Sequence, residues 1–341
     1  MNPIEGGRSM RNLKYGIIGL GFFGEKHAEV LSDMPGVELA AVSTRRQGRL
    51  TEVAGRFAVP KAYTDYRELL ADREIDAVSI VTHMDDHREI AVEALKAGKH
   101  VFLEKPMAGT VADCDAIVRE AESSAGRFMV GHICRFDPRV SLARQAVAGG
   151  RIGRIVSMHA TRNLPSSISA GVLDKISPLM GDGIHDTDIM LWLTGSRVRT
   201  VYAQNVRIRE FKYPDIGWAM YRFDSGAVGV IETVWHLPDN TPFAIDARME
   251  IIGTEGMITI DCGDAGLTIN DRSGICKPDT AYWPALAGRR VGILRNELDY
   301  FVGCLRAGTS PDLITPRESR AAVEVVCAAE QSATGGHVVE L

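Results

Sequence analysis

Gly19-Leu20-Gly21-Phe22-Phe23-Gly24 follows the apolar run Tyr15-Gly16-Ile17-Ile18 and opens residues 25–31, whose apolar positions fall at helical spacing. A strand, a glycine-rich turn and a helix in that order decide the fold. The first glycine permits a tight bend and the second lets backbone approach a pyrophosphate. The third allows close packing of helix on strand, so the anion rests on the helix N-terminus. Working outward, short β-branched runs recur at residues 39–42, 77–81, 101–103 and 128–130. Between them lie amphipathic segments such as 88–97 and 112–122, which stop at Gly98 and Gly126. That alternation predicts a Rossmann-type, doubly wound parallel sheet over residues 12–131, in the α/β class.

Beyond residue 131 the rhythm changes to long strand-like stretches at 155–160, 198–208, 218–223, 227–235 and 247–252, with Asp224-Ser225-Gly226 as a hairpin turn. Residues 132–341 therefore read as an α+β domain: a large, mostly antiparallel sheet with helices on one face, closed by helices over 297–305 and 318–330. A chain of 341 residues, 45% hydrophobic and 24% charged, is long enough to bury two such cores. The formal charge of -5, without a basic block or stripe, gives no electrostatic reason to expect nucleic acid or an anionic membrane, and favours small-molecule partners. Residues 1–12 contain Gly6, Gly7, Arg8 and Ser9 but no apolar signal core, and no later stretch approaches a membrane span. The expected picture is a cytoplasmic protein with a loose leader. Six cysteines, none in a C-x-x-C pair, suggest free thiols rather than zinc or redox chemistry.

About 20 residues past the last motif glycine, a carboxylate would bond the ribose hydroxyls of NAD and repel a 2′-phosphate. Here the place is held by Thr44, preceded by Ser43 and followed by Arg45 and Arg46, with Arg49 one turn further on. Hydroxyls and guanidinium groups suit a phosphate, so the expected cofactor is NADP, with NAD as the alternative. Lys105 leaves the run Val101-Phe102-Leu103 at the carboxyl end of the sheet, where open α/β folds bind ligands, and Pro106 holds it extended.

At this point the chain resembles the Gfo/Idh/MocA oxidoreductases, named for glucose-fructose oxidoreductase and inositol dehydrogenase. The likeness runs from the glycine motif through residues 97–106, which end Glu104-Lys105-Pro106, to Val130-Gly131-His132 and Arg135-Phe136-Asp137-Pro138. It continues at His185-Asp186-Thr187-Asp188 and Gly253-Thr254-Glu255-Gly256. It implies a dinucleotide-binding domain followed by an open-faced sheet domain that often mediates oligomers, here a homodimer or homotetramer. It also implies hydride transfer at a carbinol carbon of a carbohydrate-like substrate: a sugar, cyclitol or nucleotide sugar. Carried over, Lys105 is the lysine at nicotinamide and substrate, and His185 the proton acceptor. The chemistry is complementary, because histidine accepts a hydroxyl proton near neutral pH and an ammonium group stabilises developing alkoxide.

Asp188 lies one turn along the same helix face as His185 and is expected to orient it. The family's aspartate four residues before the histidine is replaced by Gly181, with Asp182 one place later. Either Asp182 substitutes through a shifted loop or the carboxylate role is missing. Phe22, Phe23, Thr82, His83, His87 and Glu104 complete the expected cofactor contacts, and Arg162 and His236 join Lys105, Asp182 and His185 as expected substrate contacts. Residues 162–178 read as a mobile loop. His83 and His87 are four apart, as in some zinc sites, yet no glutamate follows His83 and no metal is expected. A glycosidase that oxidises its sugar transiently, and a non-catalytic cofactor-sensing regulator, stand as alternatives to a dehydrogenase.

Overall fold

In the computed structural model, residues 11–263 and 266–341 are described; the predicted leader lies almost wholly outside them. The first sheet holds six parallel strands: β1 (Leu13–Ile18), β2 (Val37–Ser43), β3 (Lys61–Tyr63), β4 (Ala77–Ile80), β5 (His100–Glu104) and β6 (Phe128–Gly131). Their order is β3-β2-β1-β4-β5-β6. Helices α1 (Phe22–Leu31), α2 (Gln47–Arg56), α3 (Tyr66–Ala71), α4 (Met84–Lys96) and α5 (Val111–Ser123) make the crossovers. The chain reverses its strand order between β1 and β4, which places a crevice over their carboxyl ends. β3 escapes a pattern reading because it is three residues long and has no buried residue.

After α6 (Pro138–Ala148), β7 (Ile155–Asn163) begins the second sheet. Next come α7 (Ser166–Ala170), α8 (Ile184–Thr194) and strands β8 (Val198–Val206), β9 (Ile216–Phe223), β10 (Val228–Val234), β11 (Asp246–Gly253) and β12 (Met257–Asp261). Two small hairpins follow, β13 (Ile269–Asp271) with β14 (Gly274–Cys276) and β15 (Ala285–Leu286) with β16 (Arg289–Arg290). The chain closes with α9 (Ile293–Ala307), α10 (Pro316–Gly335) and β17 (Val339–Glu340). The sheet order is β12-β11-β7-β10-β9-β8-β17, with β7 and β10 parallel and every other pair antiparallel. The Asp224-Ser225-Gly226 turn joins β9 to β10 with Gly226 at φ 86°, a left-handed conformation that suits glycine.

Along β9 residues alternate between buried and exposed, so one face of this sheet packs on helices and the other is open. Helix α10 starts earlier than predicted because Thr315 and Glu318 form a reciprocal capping box, with Pro316 in the first turn. It lies against both halves of the molecule. Arg320 pairs with Asp115 of α5 at 2.9 Å, and the Ser332 hydroxyl accepts from the Ala203 amide in β8 at 3.0 Å. The segment 162–178 is corrected from a mobile loop to packed structure: Arg162 and Asn163 end β7, α7 follows, and Leu164 and Leu173 bury against Trp235.

Candidate active site

The glycine motif bends as its chemistry requires. Gly19 has φ +98°, and a Cβ there would meet the Val81 carbonyl oxygen at 2.4 Å; one on Gly24 would meet the Gly19 oxygen at 2.0 Å. A Cβ on Gly21 would meet nothing within 4 Å, so this glycine faces open space at the N-terminus of α1. The arrangement fits a dinucleotide pyrophosphate. The motif borders a cleft of about 850 Å³ over the ends of β1, β2 and β4, also lined by Ser43, Thr44, Arg45, Arg46, Thr82, His83 and, from the second domain, Lys175.

Of the other expected cofactor contacts, Arg49, Phe23, His87 and Glu104 are corrected to residues engaged within the protein, whereas Phe22 stays exposed at the N-terminus of α1. Arg49 donates to the Leu20 carbonyl at 3.0 Å and pairs with Glu25 and Glu52, so its charge is spent within α1 and α2. Phe23 packs edge-on against His27 and Trp283, and Phe22 is 68% exposed. His87 is buried, with Nδ1 2.9 Å from the Pro106 carbonyl oxygen and Nε2 3.3 Å from that of Thr82. It ties the loop after β4 to the one after β5 and has no nitrogen to spare. Among the described residues no group of three or more His, Cys, Asp or Glu is placed to hold a metal ion. Glu104 is buried beneath the sheet end, 3.1 Å from His27 Nε2.

Lys105 projects from the end of β5 and its Nζ donates to the Gly181 carbonyl at 2.6 Å. Gly181 lies in a wide helical turn, Leu179–Gly183, that runs directly into α8 and presents His185. Sequence left open whether Asp182 takes over the carboxylate role. The structure gives a steric reason for the departure: a Cβ on Gly181 would stand 2.6 Å from Cη2 and 2.9 Å from Cζ2 of Trp235. Asp182 instead accepts from Trp235 Nε1 at 2.9 Å. The partner of Lys105 is thus a main-chain carbonyl, and Asp182 anchors the indole.

His185 is 6% exposed and its Nδ1 has no hydrogen-bond partner among the described residues. Burial, then the nearby cations Lys105 and Arg162 and the imidazole of His132, push its pKa well below the usual histidine range. It is therefore neutral and free to accept a proton. Asp188 does not orient it, contrary to expectation: both Asp188 oxygens accept from Arg135, at 2.7 and 2.8 Å, in a pair that is 1–2% exposed. Arg162 likewise makes a two-pronged pair with Asp186 at 2.9 Å, also buried, and stands behind His185 as a fixed charge instead of an open substrate contact. His236 shares a 3.2 Å hydrogen bond with the Ser166 hydroxyl.

Sequence reading missed Glu297, which is 0% exposed with both oxygens unpartnered among the described residues. Burial, then the charges of Glu104 and Asp188, raise its pKa well above the usual carboxylate range, so it is held neutral. The signal was present: Glu297 lies three residues after Leu294 and four before Phe301, both on the inward stripe of α9.

Comparison with known proteins decides the family. Residues 13–132 match the Gfo/Idh/MocA model described as an oxidoreductase family with an NAD-binding Rossmann fold, and residues 140–259 match the family's C-terminal domain. The chain belongs to the Gfo/Idh/MocA family. Family members similar to it include myo-inositol 2-dehydrogenase of Thermotoga maritima, 32% identical over 73% of this chain and 75% of that protein. Another is the NAD(+)-type scyllo-inositol 2-dehydrogenase of Bacillus subtilis, 29% identical over 95% of each chain. The crystal structure of myo-inositol 2-dehydrogenase from Lactobacillus plantarum shares the fold, with a TM-score of 0.86 at 24% identity over 97% of this chain and 100% of that one. As a family member this protein is an oxidoreductase that binds a nicotinamide dinucleotide in its Rossmann domain.

Proposed function

We propose that this protein is an NADP-dependent dehydrogenase acting on a secondary hydroxyl, or the matching ketone, of a cyclitol- or sugar-like substrate. The observation that carries the reading is the meeting of Lys105, at the mouth of the parallel sheet, with the turn that presents a neutral, buried His185. The nicotinamide, when bound, supplies the hydride acceptor. His185 takes the hydroxyl proton, a role its depressed pKa allows at neutral pH. The Lys105 ammonium, held by the Gly181 carbonyl, faces the oxygen that gains negative charge and lowers the cost of removing that proton. His185 then carries a positive charge between Lys105 and Arg162, which favours prompt release of the proton and keeps the step reversible.

The choice of NADP rests on the end of β2. Thr44 stands where NAD-binding domains carry a carboxylate, and Arg45 and Arg46 line the same cleft. Arg45 is largely exposed, with Asp86 at 3.1 Å as its ion-pair partner, so it is free to turn to a phosphate; Arg46 donates to the Leu20 carbonyl at a long 3.3 Å. The open face of the second sheet, with Trp218 and Met220 exposed two residues apart on the same face of β9, supports a homo-oligomer, read by light scattering of the purified protein. The deciding experiment titrates NADPH and NADH, then screens cyclitols, aldoses and nucleotide sugars for cofactor reduction. Tighter NADPH binding with turnover of a polyol supports the reading. Equal or tighter NADH binding overturns the NADP assignment, and no turnover with either nucleotide overturns the dehydrogenase.

A further inference from the structure

Residues 279–292 lie beyond the stretches matched by the two family models. They form an arm that leaves the second domain, crosses to the phosphate-binding helix α1 and returns to start α9. The arm is a built structure. The Asp279 carboxylate accepts from the amides of Ala281, Tyr282 and Trp283 at 2.9, 2.7 and 2.9 Å. Its two strands are closed by the Ile293 amide bonding the Ala281 carbonyl at 2.9 Å and by the Val291 amide bonding that of Pro284 at 3.0 Å.

Two arginines of the arm, Arg289 and Arg290, moor it to α1 and the turn that follows, and Arg295 at the start of α9 joins them. Arg289 and Arg295 reach Asp33 at 2.7 and 2.6 Å, and Arg290 pairs with Glu29 while also bonding the Trp283 carbonyl at 2.7 Å. The two aromatic residues at its head then point to different partners. Tyr282 accepts from Arg162 at 3.4 Å, completing the buried Arg162–Asp186 pair at the base of the helix that carries His185. Trp283 stands edge-on to Phe23, with ring centroids 5.3 Å apart, and to Phe22, 6.3 Å apart. Those are the first two residues of α1, immediately after the open Gly21.

We propose that this arm is a clip that sets the spacing between the two halves of the active site, with Trp283 positioning the cofactor-phosphate loop and Tyr282 positioning the proton-acceptor helix. The inference rests on the proposed dehydrogenase reading. One short run of chain grips both the helix whose N-terminus receives the pyrophosphate and the ion pair behind His185, so neither half shifts without moving the other. Edge-on aromatic contacts of this kind are individually modest, yet here they hold the N-terminal turn on which anion affinity depends. Phe22 is 68% exposed at the helix N-terminus beside Gly21, and its ring meets Trp283, 6.3 Å between centroids, and Lys26, whose Nζ is 5.5 Å from its centroid.

The test separates the two grips. Full-length wild type, Trp283→Ala, Trp283→Phe, Phe22→Ala and Tyr282→Phe are titrated with NADPH, followed by tryptophan fluorescence. Turnover is then measured with the best polyol from the screen. Circular dichroism and the thermal midpoint check each fold, and exposed Phe22 gives a variant whose loss leaves the core intact.

Trp283→Ala and Phe22→Ala are expected to weaken NADPH binding about tenfold, or ~1.4 kcal/mol, with Trp283→Phe within about twofold of wild type. Energy transfer to the dihydronicotinamide is expected to fall in both Trp283 variants. Tyr282→Phe is expected to lower kcat severalfold and leave the NADPH dissociation constant unchanged. The clip is overturned if wild type binds NADPH and both Trp283→Ala and Phe22→Ala bind it equally well, or if Tyr282→Phe changes affinity and kcat in parallel. A wild-type protein that binds no nicotinamide nucleotide overturns the clip and the dehydrogenase reading together.

Discussion

Gly181→Ala adds one methyl group at the turn that links Lys105 to His185, and the structure sets the sign of its effect. In a helical turn with free space, alanine in place of glycine stabilises a protein by about 0.5–1 kcal/mol, because the unfolded chain has less freedom to lose. Here the new Cβ would lie 2.6 and 2.9 Å from two ring carbons of Trp235 and 3.4 Å from Ile176 Cγ2. The indole is 3% exposed, packs against Leu164 and Leu173, and is held by Asp182, so it has no easy retreat. Overpacking of this kind costs about 1–3 kcal/mol, which outweighs the backbone gain and leaves a net loss of roughly 1–2 kcal/mol.

The shift also displaces the Gly181 carbonyl from Lys105 Nζ, so kcat falls with stability. Urea unfolding and steady-state rates of Gly181→Ala, Trp235→Phe and the double variant provide the assay. The smaller ring in the double variant makes room, so the two changes should cost less together than the sum of each alone. Strict additivity, or a Gly181→Ala protein more stable than wild type, refutes the steric account of why this position lacks a carboxylate.

Lys105→Ala, in steady-state assays at saturating substrate, is expected to lower kcat by about 10²–10³-fold, as loss of one preorganised electrostatic group does. Because the folded-state pKa of His185 is depressed, kcat/KM for alcohol oxidation should hold steady as pH is lowered from about 8 past the ordinary imidazole value of ~6.5; a fall centred there contradicts its neutral burial. Glu297 has a folded pKa raised above its unfolded value of about 4.3, so its stabilising contribution is complete below that pH and lost as pH rises towards the folded pKa. Glu297→Gln should therefore gain on wild type by ~1.4 kcal/mol per pH unit over that window in urea titrations, and a pH-independent difference excludes the assignment. Asp188→Asn leaves Arg135 buried with a weakened partner, and a loss of about 3–5 kcal/mol is expected from the same titrations.

The parallel sheet was legible because its strands, the short β3 apart, are buried on both faces and so read as apolar runs, and Gly19 and Gly24 of the glycine motif each have a steric explanation. Lys105 and His185 were legible because their motifs are local and their spacing is distinctive. The partners of these residues were not. Asp188 and Arg162 carry no mark in the sequence of being paired with Arg135 and Asp186, since those pairings join residues 53 and 24 positions apart through the packing of α8 on its neighbours. Arg49 looked like a phosphate ligand because a charged residue after β2 has two outlets. Its distance to Glu25 across α1 and α2, which decides between them, is a tertiary fact. The arm at 279–292 was unreadable for another reason: its strands are two residues long and its order comes from an aspartate turn and arginine moorings, without any apolar period.

The closing helix α10 lies against both sheets' coverings, bonded to Asp115 and Glu122 on α5 and to Ala203 on β8. During synthesis the amino-terminal half leaves the ribosome long before α10 exists. The face of α5 that α10 covers stays wet until residues 316–335 emerge. A gene cut after residue 131 would thus yield a Rossmann half lacking one of its walls, and removing α10 would injure the nucleotide half as surely as the second sheet.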